Sequence, residues 1–170
     1  METKAAELKK IFFWEQADEY GCFSNFWPGP FVIDGEFWPT TEHYFAAMKT
    51  LDPKLRKEIQ QAETPIKAKH LGRKVELRPD WESIRYEVMI TALRAKFSIP
   101  DLRKTLLDSG DALIFEDSPF DKVWGTGQRG GEGTGMNLLG KALMQVRSEL
   151  RAVGYILSGA VTVSTDQGGN

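Results

Sequence analysis

Prolines divide the middle of the chain into short helices. Pro53 and Pro65 each follow a residue that caps helices, Asp52 and Thr64, and Pro100 opens a further segment. Proline is favoured at the first helical position, and Asp or Thr before it can accept a hydrogen bond from an unpaired N–H group. The pattern therefore predicts helices over 53–62, 65–72 and 100–110.

Turn chemistry and apolar periodicity predict the rest of the fold. Asp34-Gly35 supplies the positive φ of a tight turn, which indicates a β-hairpin over 31–38. Apolar residues at helical or strand spacing predict helices over 42–50, 80–97 and 137–150, and strands over 11–14, 112–115 and 122–124. The fold class expected is α+β, a mainly helical single domain with a small antiparallel sheet formed by the hairpin and the strands near 113 and 123.

The domain is expected to cover residues 1–153. Helical patterning fades from Gly154, and the last nine residues are small and polar. We expect 154–170 to be a polar, flexible tail without a catalytic role.

Composition narrows the classes of function. Twenty-two Lys and Arg against twenty-four Asp and Glu give a net charge of −2, which argues against a bulk nucleic-acid binder. Cys22 is the only cysteine and there are two histidines, so a zinc site or a disulfide is not expected. With neither a signal peptide nor a membrane span in the sequence, the expectation is a cytoplasmic protein with no cofactor, metal or membrane partner.

The segment around Glu42 is the first candidate site. Glu42 and Lys49 are nearly two turns apart in a predicted helix and therefore on one face, roughly 10 Å apart along the axis. A ligand could bridge them. Trp38, Tyr44 and Phe45 suggest partial burial, whereas a solvated pair of charges remains the alternative.

The second candidate is an acidic segment, 116–125, that leads into a glycine-dense loop. Its backbone N–H groups could approach a phosphate, with Arg129 as a fork donor. The G-x-G-x-x-G at Gly125, Gly127 and Gly130 is not a Rossmann fingerprint, since no βαβ unit surrounds it. A surface turn is the alternative for the loop, and Asn137 is an N-cap that could also touch ligand.

Polar residues between aromatic rings form the third candidate. Ser24 and Asn25 could hydrogen-bond a base while a ring stacks on it, or could form a turn over the core. Trp81 is a further stacking candidate, although its helical stripe favours core packing. Cys22 has no evident partner base for thiol chemistry.

Four segments together resemble the NADAR domain family, also called YbiA-like. They occur in the family's order and span roughly residues 11–150: FSNFWP at 23–28, WPTTEHYFAAMK at 38–49, DWESIRYEVMITALRAKF at 80–97 and FDKVWGTGQRGGEGTGMNLLGKALM at 120–144. The resemblance implies an N-glycosidase. It suggests ribosylaminopyrimidine 5′-phosphates of early riboflavin biosynthesis as substrates, hydrolysed as metabolite damage control; other members remove ADP-ribose from guanine in nucleic acid.

By position, Glu42, Lys49 and Asp121 match motif residues of that family, as do Trp124, Ser24 and Asn25. Thr126 departs from the family, where aspartate often follows Trp-Gly, and the loop from Gly127 to Asn137 is longer. The predicted catalytic residues are Glu42, Lys49 and Asp121. The predicted substrate-binding residues are Ser24, Asn25, Trp38, Tyr44, Trp81, Trp124, Gly125, Gly127, Arg129 and Asn137.

Breaking a ribosyl C–N bond suggests a role for each group. Glu42 would stabilise the ribose cation or activate water, with Asp121 as the second candidate. The helix dipole favours an ionised Glu42, which makes a proton-donor role less natural. Lys49 would bind phosphate or attack the opened sugar as a Schiff-base amine. Two alternatives stay open: an ADP-ribosyl-guanine hydrolase acting on nucleic acid, and a catalytically silent ADP-ribose-binding module. The sequence leaves the oligomeric state open.

Overall fold

The structure is a computed structural model that describes the backbone of residues 7–161 and the side chains of residues 7–154. This part of the chain holds four strands and six α-helices, with a short 3-10 helix at Gly21–Phe23. The strands are β1 (Lys10–Phe13), β2 (Phe31–Ile33), β3 (Glu36–Trp38) and β4 (Leu113–Glu116). The helices are α1 (Thr41–Ala47), α2 (Pro53–Gln60), α3 (Pro65–Gly72), α4 (Trp81–Lys96), α5 (Pro100–Asp108) and α6 (Leu138–Val161). The α+β, mainly helical fold class is confirmed.

Side-chain caps set the starts of α2 and α3, as the sequence predicted, whereas Asp80 and Ile99 before α4 and α5 make no side-chain cap. The Asp52 carboxylate accepts hydrogen bonds from the N–H groups of Lys54 (2.8 Å) and Leu55 (3.3 Å) at the start of α2. The Thr64 hydroxyl accepts one from Lys67 N–H (3.1 Å) at the start of α3. These bonds satisfy donors that have no partner within the helix, so the caps are confirmed.

The hairpin is confirmed, but the predicted single sheet is wrong. Strands β2 and β3 pair antiparallel around Asp34 and Gly35, with φ of 51° and 79°. Strand β1 instead pairs parallel with β4 in a separate sheet. Residues 122–124 form bends rather than a strand, because the Asp121 side chain accepts the N–H groups of Val123 and Trp124 and curls the chain.

Helix α1 lies between two hydrophobic clusters. Phe45 belongs to the larger cluster, which is built mainly from β1, β4, α4 and α6. Tyr44 and Trp38 belong to the smaller one, with the hairpin and α2. The two faces of this helix therefore serve different parts of the core, which places its remaining polar side at the junction of several elements.

Helix α6 packs against β4 at close range. A Cβ on Gly140 would stand 2.1 Å from the Ile114 carbonyl oxygen, so only glycine permits this approach. Beside it, Asn137 adopts a φ of 50°. The backbone of α6 continues to Val161, past the boundary expected at residue 153. The remainder of the expected tail, 162–170, lies outside the described residues.

Candidate active site

A cavity of about 620 Å³ opens where α1, α3, the end of β4 and two loops meet. Three acidic side chains and three lysine or arginine side chains share it, and aromatic side chains supply much of the rest of the wall. The lining residues are Trp14, Ser24, Asn25, Phe26, Glu42, Phe45, Lys49, Ile66, Lys69, His70, Arg73, Met89, Glu116, Ser118, Phe120, Asp121, Val123 and Trp124.

Glu42 lies in the first turn of α1, directly after the Thr40 N-cap and Thr41. Its residue is only 6% exposed. Burial raises the pKa of Glu42 to about 7, against the lowering effect of the positive charges on Lys69, Lys49 and Arg73. Burial thus acts against the ionised form of Glu42 that the helix dipole was expected to favour. At neutral pH this carboxyl can both release and accept a proton.

Lys49 follows the end of α1 and reaches the same cavity as Glu42. Its Nζ lies 5.5 Å from the centre of the Phe45 ring. Burial lowers the pKa of Lys49, while the negative charge of Glu42 acts in the opposite direction. A larger fraction of Lys49 is therefore neutral amine at a given pH than for a solvated lysine.

Two cations, Lys69 in α3 and Arg73 directly after its last residue, lie near Glu42 and were not predicted from the sequence. Lys69 and Arg73 are four residues apart and therefore neighbours on one face of the helical segment. The Lys69 Nζ also lies 5.4 Å from the centre of the Phe26 ring. The four-residue spacing of Lys69 and Arg73 is visible in the sequence and indicates a basic face. Only the packing of α3 on α1 reveals that this face meets Glu42.

Two further carboxyl groups lie across the cavity. Glu116 ends β4, and Asp121 lies in the following loop. One oxygen of Asp121 accepts the N–H groups of Val123 and Trp124, each at 2.8 Å, so this side chain both shapes the loop and faces the cavity. Glu116 was part of the predicted acidic segment but was not singled out.

The predicted polar pair Ser24 and Asn25 also reaches the cavity. The Asn25 carbonyl accepts the N–H of Glu42 at 3.0 Å, which ties this loop to the start of α1. Its side-chain oxygen Oδ1 is buried without a hydrogen-bond partner in the described part of the chain. The Ser24 carbonyl accepts a 2.8 Å hydrogen bond from the Nζ of the buried Lys96.

The aromatic candidates separate into two groups. Trp124 lines the cavity and packs edge-on against Phe45, with ring centroids 5.1 Å apart. Trp81 packs on Phe45 at 5.0 Å but does not itself line the cavity. Trp38 and Tyr44 contact each other at 5.1 Å and line a separate cavity of about 270 Å³ beside the hairpin. Tyr44 is two residues after Glu42, so a helix turns it to the opposite face.

The glycine-dense loop is not brought to the cavity. Gly125 packs against backbone, since a Cβ there would lie 3.0 Å from the Glu116 carbonyl oxygen, and Gly127 has a φ of 74°. Arg129 lies over the Trp14 ring, 4.4 Å from its centre, and pairs with Asp117 at 3.4 Å. The cations available to a phosphate in this cavity come from α3 instead.

Asn137 and Thr126 have structural contacts. The Asn137 side chain accepts the N–H of Glu116 at 3.0 Å and donates to the Ile114 carbonyl at 2.8 Å. The Thr126 hydroxyl donates to the Gln128 carbonyl at 2.8 Å. Neither residue lines the cavity, so the departure from the family at Thr126 alters the loop rather than the cavity wall.

Within residues 7–154, no group of three His, Cys, Asp or Glu side chains is placed to hold a metal ion. Across the described residues, helices of the length and apolar character required to cross a bilayer are absent.

These features describe a small α+β enzyme with carboxyl and cationic groups opposed across one cavity. The NADAR domain model matches residues 12–151, and the chain belongs to the NADAR domain family. It is 45% identical over 143 residues to N-glycosidase YbiA of Escherichia coli, covering 82% of this chain and 88% of that protein. It is 41% identical over 147 residues to N-glycosidase Npun_R5314 of Nostoc punctiforme, covering 83% and 92%.

A more distant relative and a solved structure agree with this assignment. The chain is 38% identical over 167 residues to the chloroplastic riboflavin biosynthesis protein PYRR of Zea mays, covering 88% of this chain and 26% of that protein. The NMR structure of E. coli YbiA superimposes with a TM-score of 0.79 at 43% identity, covering 86% of this chain and 88% of that one. The chain is thus a glycosyl hydrolase of the N-glycosidase kind.

Proposed function

We propose that this enzyme hydrolyses the ribose–nitrogen bond of phosphorylated ribosylamino pyrimidines, such as early riboflavin-pathway intermediates. The observation that carries the proposal is that Glu42 and Lys49 face one cavity together with two cations of α3. The name of the maize relative supports the substrate class.

Lys69 and Arg73 hold the 5′-phosphate in this proposal. They are one helical turn apart on the α3 side of the cavity. A guanidinium can donate two parallel hydrogen bonds to phosphate oxygens, and an ammonium adds a compact charge. Phosphate bound there would place the attached ribose toward Glu42. Both cations lie close enough to Glu42 for their positive charges to lower its pKa.

Glu42 acts at the anomeric carbon. Cleavage of the C–N bond builds positive charge on the ribose, which a carboxylate stabilises directly or by taking a proton from attacking water. A pKa of about 7 suits a group that must accept a proton at neutral pH and release it afterwards. Asp121 is the second candidate for this role, because it lines the same cavity and its charge influences Glu42.

Lys49 has two possible roles, and both are testable. Its amine can attack the opened sugar and form a Schiff base, for which the lowered pKa provides neutral amine. Alternatively, its charge contributes to phosphate binding. Trp124 and Phe26 offer rings on which the base can stack, and Ser24 and Asn25 offer polar atoms for its edge.

The test compares two substrates with the wild type and Glu42→Gln. We expect the wild type to release base from a ribosylaminopyrimidine 5′-phosphate, and Glu42→Gln to lower kcat roughly 10²–10⁴-fold with an unchanged unfolding temperature. Glu58→Gln, on the exposed side of α2, is the matched control. A folded, fully active Glu42→Gln protein would move the role to Asp121.

An ADP-ribosylated guanine oligonucleotide serves as the second substrate. Cleavage of the oligonucleotide alone would transfer the function to nucleic-acid repair, and binding of ADP-ribose without any cleavage would indicate a silent module. Borohydride added during turnover tests the Schiff base: a covalent adduct on Lys49 supports it. No adduct, together with an active Lys49→Ala protein, would refute it.

A further inference from the structure

We propose that Glu116 is the general acid of this enzyme, which gives its proton to the nitrogen of the departing base. The inference rests on the proposed function and deepens it by assigning the second half of the bond cleavage. It is carried by where Glu116 lies, by an unpaired oxygen on its side chain, and by the charges that face it.

Backbone contacts on both sides fix Glu116 at the cavity wall. It is the last residue of β4, and its N–H donates to Asn137 Oδ1 at 3.0 Å. Its carbonyl accepts the N–H of Thr126 at 2.9 Å. The side chain is therefore presented to the cavity from a rigid strand end, as a group that must meet a reacting atom requires.

The Glu116 carboxyl lacks the donors that a buried carboxylate needs. Its Oε2 atom is inaccessible to solvent and has no hydrogen-bond partner among the described residues. A neutral carboxylic acid tolerates such a position far better than an anion, so burial of this oxygen favours the protonated form of Glu116. Asn25, another residue that lines this cavity, also has a buried side-chain oxygen, Oδ1, without a hydrogen-bond partner among the described residues.

The surrounding charges keep the proton on Glu116. The charged groups that face it are Asp121 from the following loop, Lys69 from α3 and Glu42 from α1. Burial first, and then the negative charges of Asp121 and Glu42, raise the pKa of Glu116 to about 8, while Lys69 acts in the opposite direction. The Asp121 side chain is held in place by the backbone N–H groups of Val123 and Trp124, which donate to one of its oxygens.

Glu42 and Glu116 therefore have different roles in this proposal, Glu42 as the base and Glu116 as the acid. Three cations, Lys69, Lys49 and Arg73, lower the pKa of Glu42, whereas Lys69 is the one cation with that effect on Glu116 among the described groups. Glu42 therefore lies among more positive charge than Glu116, which favours Glu42 as the carboxylate base and Glu116 as the protonated acid, the two roles that glycoside hydrolysis requires.

The step balances as a simple hydrolysis. The C–N bond breaks with its electron pair passing to nitrogen, and the Glu116 proton moves to that nitrogen. Water bonds to the anomeric carbon and loses a proton to the Glu42 carboxylate. The products are the ribose phosphate and the free aminopyrimidine, and a proton returns from Glu42 to Glu116 through the open cavity. A pyrimidine amide anion is a poor leaving group, so the acid is required.

The experiment compares Glu116→Gln on two leaving groups. With a ribosylaminopyrimidine 5′-phosphate we expect kcat to fall at least 100-fold. With 4-nitrophenyl ribofuranoside 5-phosphate, whose leaving group departs as a stable anion, we expect a change of less than about threefold. Glu82→Gln, at an exposed site on α4, is the matched control for removal of one carboxylate.

Each outcome supports or overturns the inference. An equal loss on both substrates would make Glu116 a positioning residue, and unchanged activity on both would remove it from the chemistry. If the wild type cleaves neither substrate, the proposed function fails before this inference is reached. Should Glu116→Gln not fold, the wild type is assayed from pH 6 to 9. Activity on the aminopyrimidine must then fall at alkaline pH while activity on the nitrophenyl substrate persists, and a parallel fall would overturn the assignment.

Discussion

The buried lysine behind the active-site loop should make the free energy of unfolding depend on pH. Lys96 is 0% exposed, and its Nζ donates to the Ser24 carbonyl at 2.8 Å. Among the described residues, no carboxylate lies within ion-pair distance of it. Burial lowers its pKa from 10.5 to about 7, while the nearby Cys22 acts in the opposite direction. At low pH the folded protein therefore holds a buried ammonium group, which lowers its free energy of unfolding.

The sign and size of the effect follow from proton linkage. Between pH 7 and 10.5 the unfolded chain binds a proton at Lys96 that the folded chain has lost, so the free energy of unfolding rises with pH in that window. The maximal slope for one proton is about 1.4 kcal/mol per pH unit. Across the whole window the difference is on the order of 5 kcal/mol.

Urea unfolding of the wild type and Lys96→Met between pH 6 and 9 measures this slope. We expect the free energy of unfolding of the wild type to rise relative to Lys96→Met by roughly 1 kcal/mol per pH unit above pH 7. Loss of the hydrogen bond to the Ser24 carbonyl lowers the free energy of unfolding of Lys96→Met by a similar amount at every pH. It therefore leaves the slope against pH unchanged. Lys54→Met, at an exposed position of α2, should run parallel to the wild type. Parallel curves for Lys96→Met as well would refute a neutral lysine at this site.

Two further substitutions test the junction of β4 and α6. Asn137→Gly preserves the positive φ but removes both side-chain hydrogen bonds and leaves the Ile114 carbonyl and Glu116 N–H unpaired, so we expect a loss of ~2–4 kcal/mol in urea unfolding. Gly140→Ala puts a methyl group 2.1 Å from the Ile114 carbonyl oxygen and should cost ~3 kcal/mol or more in the same measurement.

Matched substitutions separate these contacts from general effects of residue type. Asp34→Gly replaces an exposed residue at a φ of 51° and should change the free energy of unfolding by less than ~0.5 kcal/mol. Gly154→Ala meets nothing within 4 Å on the same helix as Gly140 and should stabilise by ~0.5–1 kcal/mol. A loss below ~1 kcal/mol for Asn137→Gly would mean that water or backbone movement replaces its bonds.

Local signals in the sequence were sufficient for most of the framework. Asp52, Thr64 and Asp34-Gly35 act within a few residues of themselves, so caps and turn could be predicted without knowledge of the partner elements. The strand predicted at 122–124 failed because its apolar character competed with the Asp121 side chain, which binds the following N–H groups and bends the chain.

The site was predicted where one helix determines it. Glu42 and Lys49 share the cavity as their spacing predicted, although α1 ends at Ala47 and Lys49 lies two residues beyond it. Within α1, helical periodicity turns Tyr44 to the opposite face from Glu42. Lys69 and Glu116 could not be assigned, because each reaches the cavity through packing between elements distant in sequence.

The parallel pairing of β1 with β4 has a consequence for how the enzyme matures. Lys10–Phe13 must wait for Leu113–Glu116 to leave the ribosome before the ladder can close, and such long-range pairing is slow compared with helix formation. During synthesis the helices that carry Glu42 and Lys69 can form before the strand that carries Glu116. An early chain would thus have one wall of the cavity without the other, and hydrolytic competence would arise only at the final stage of folding.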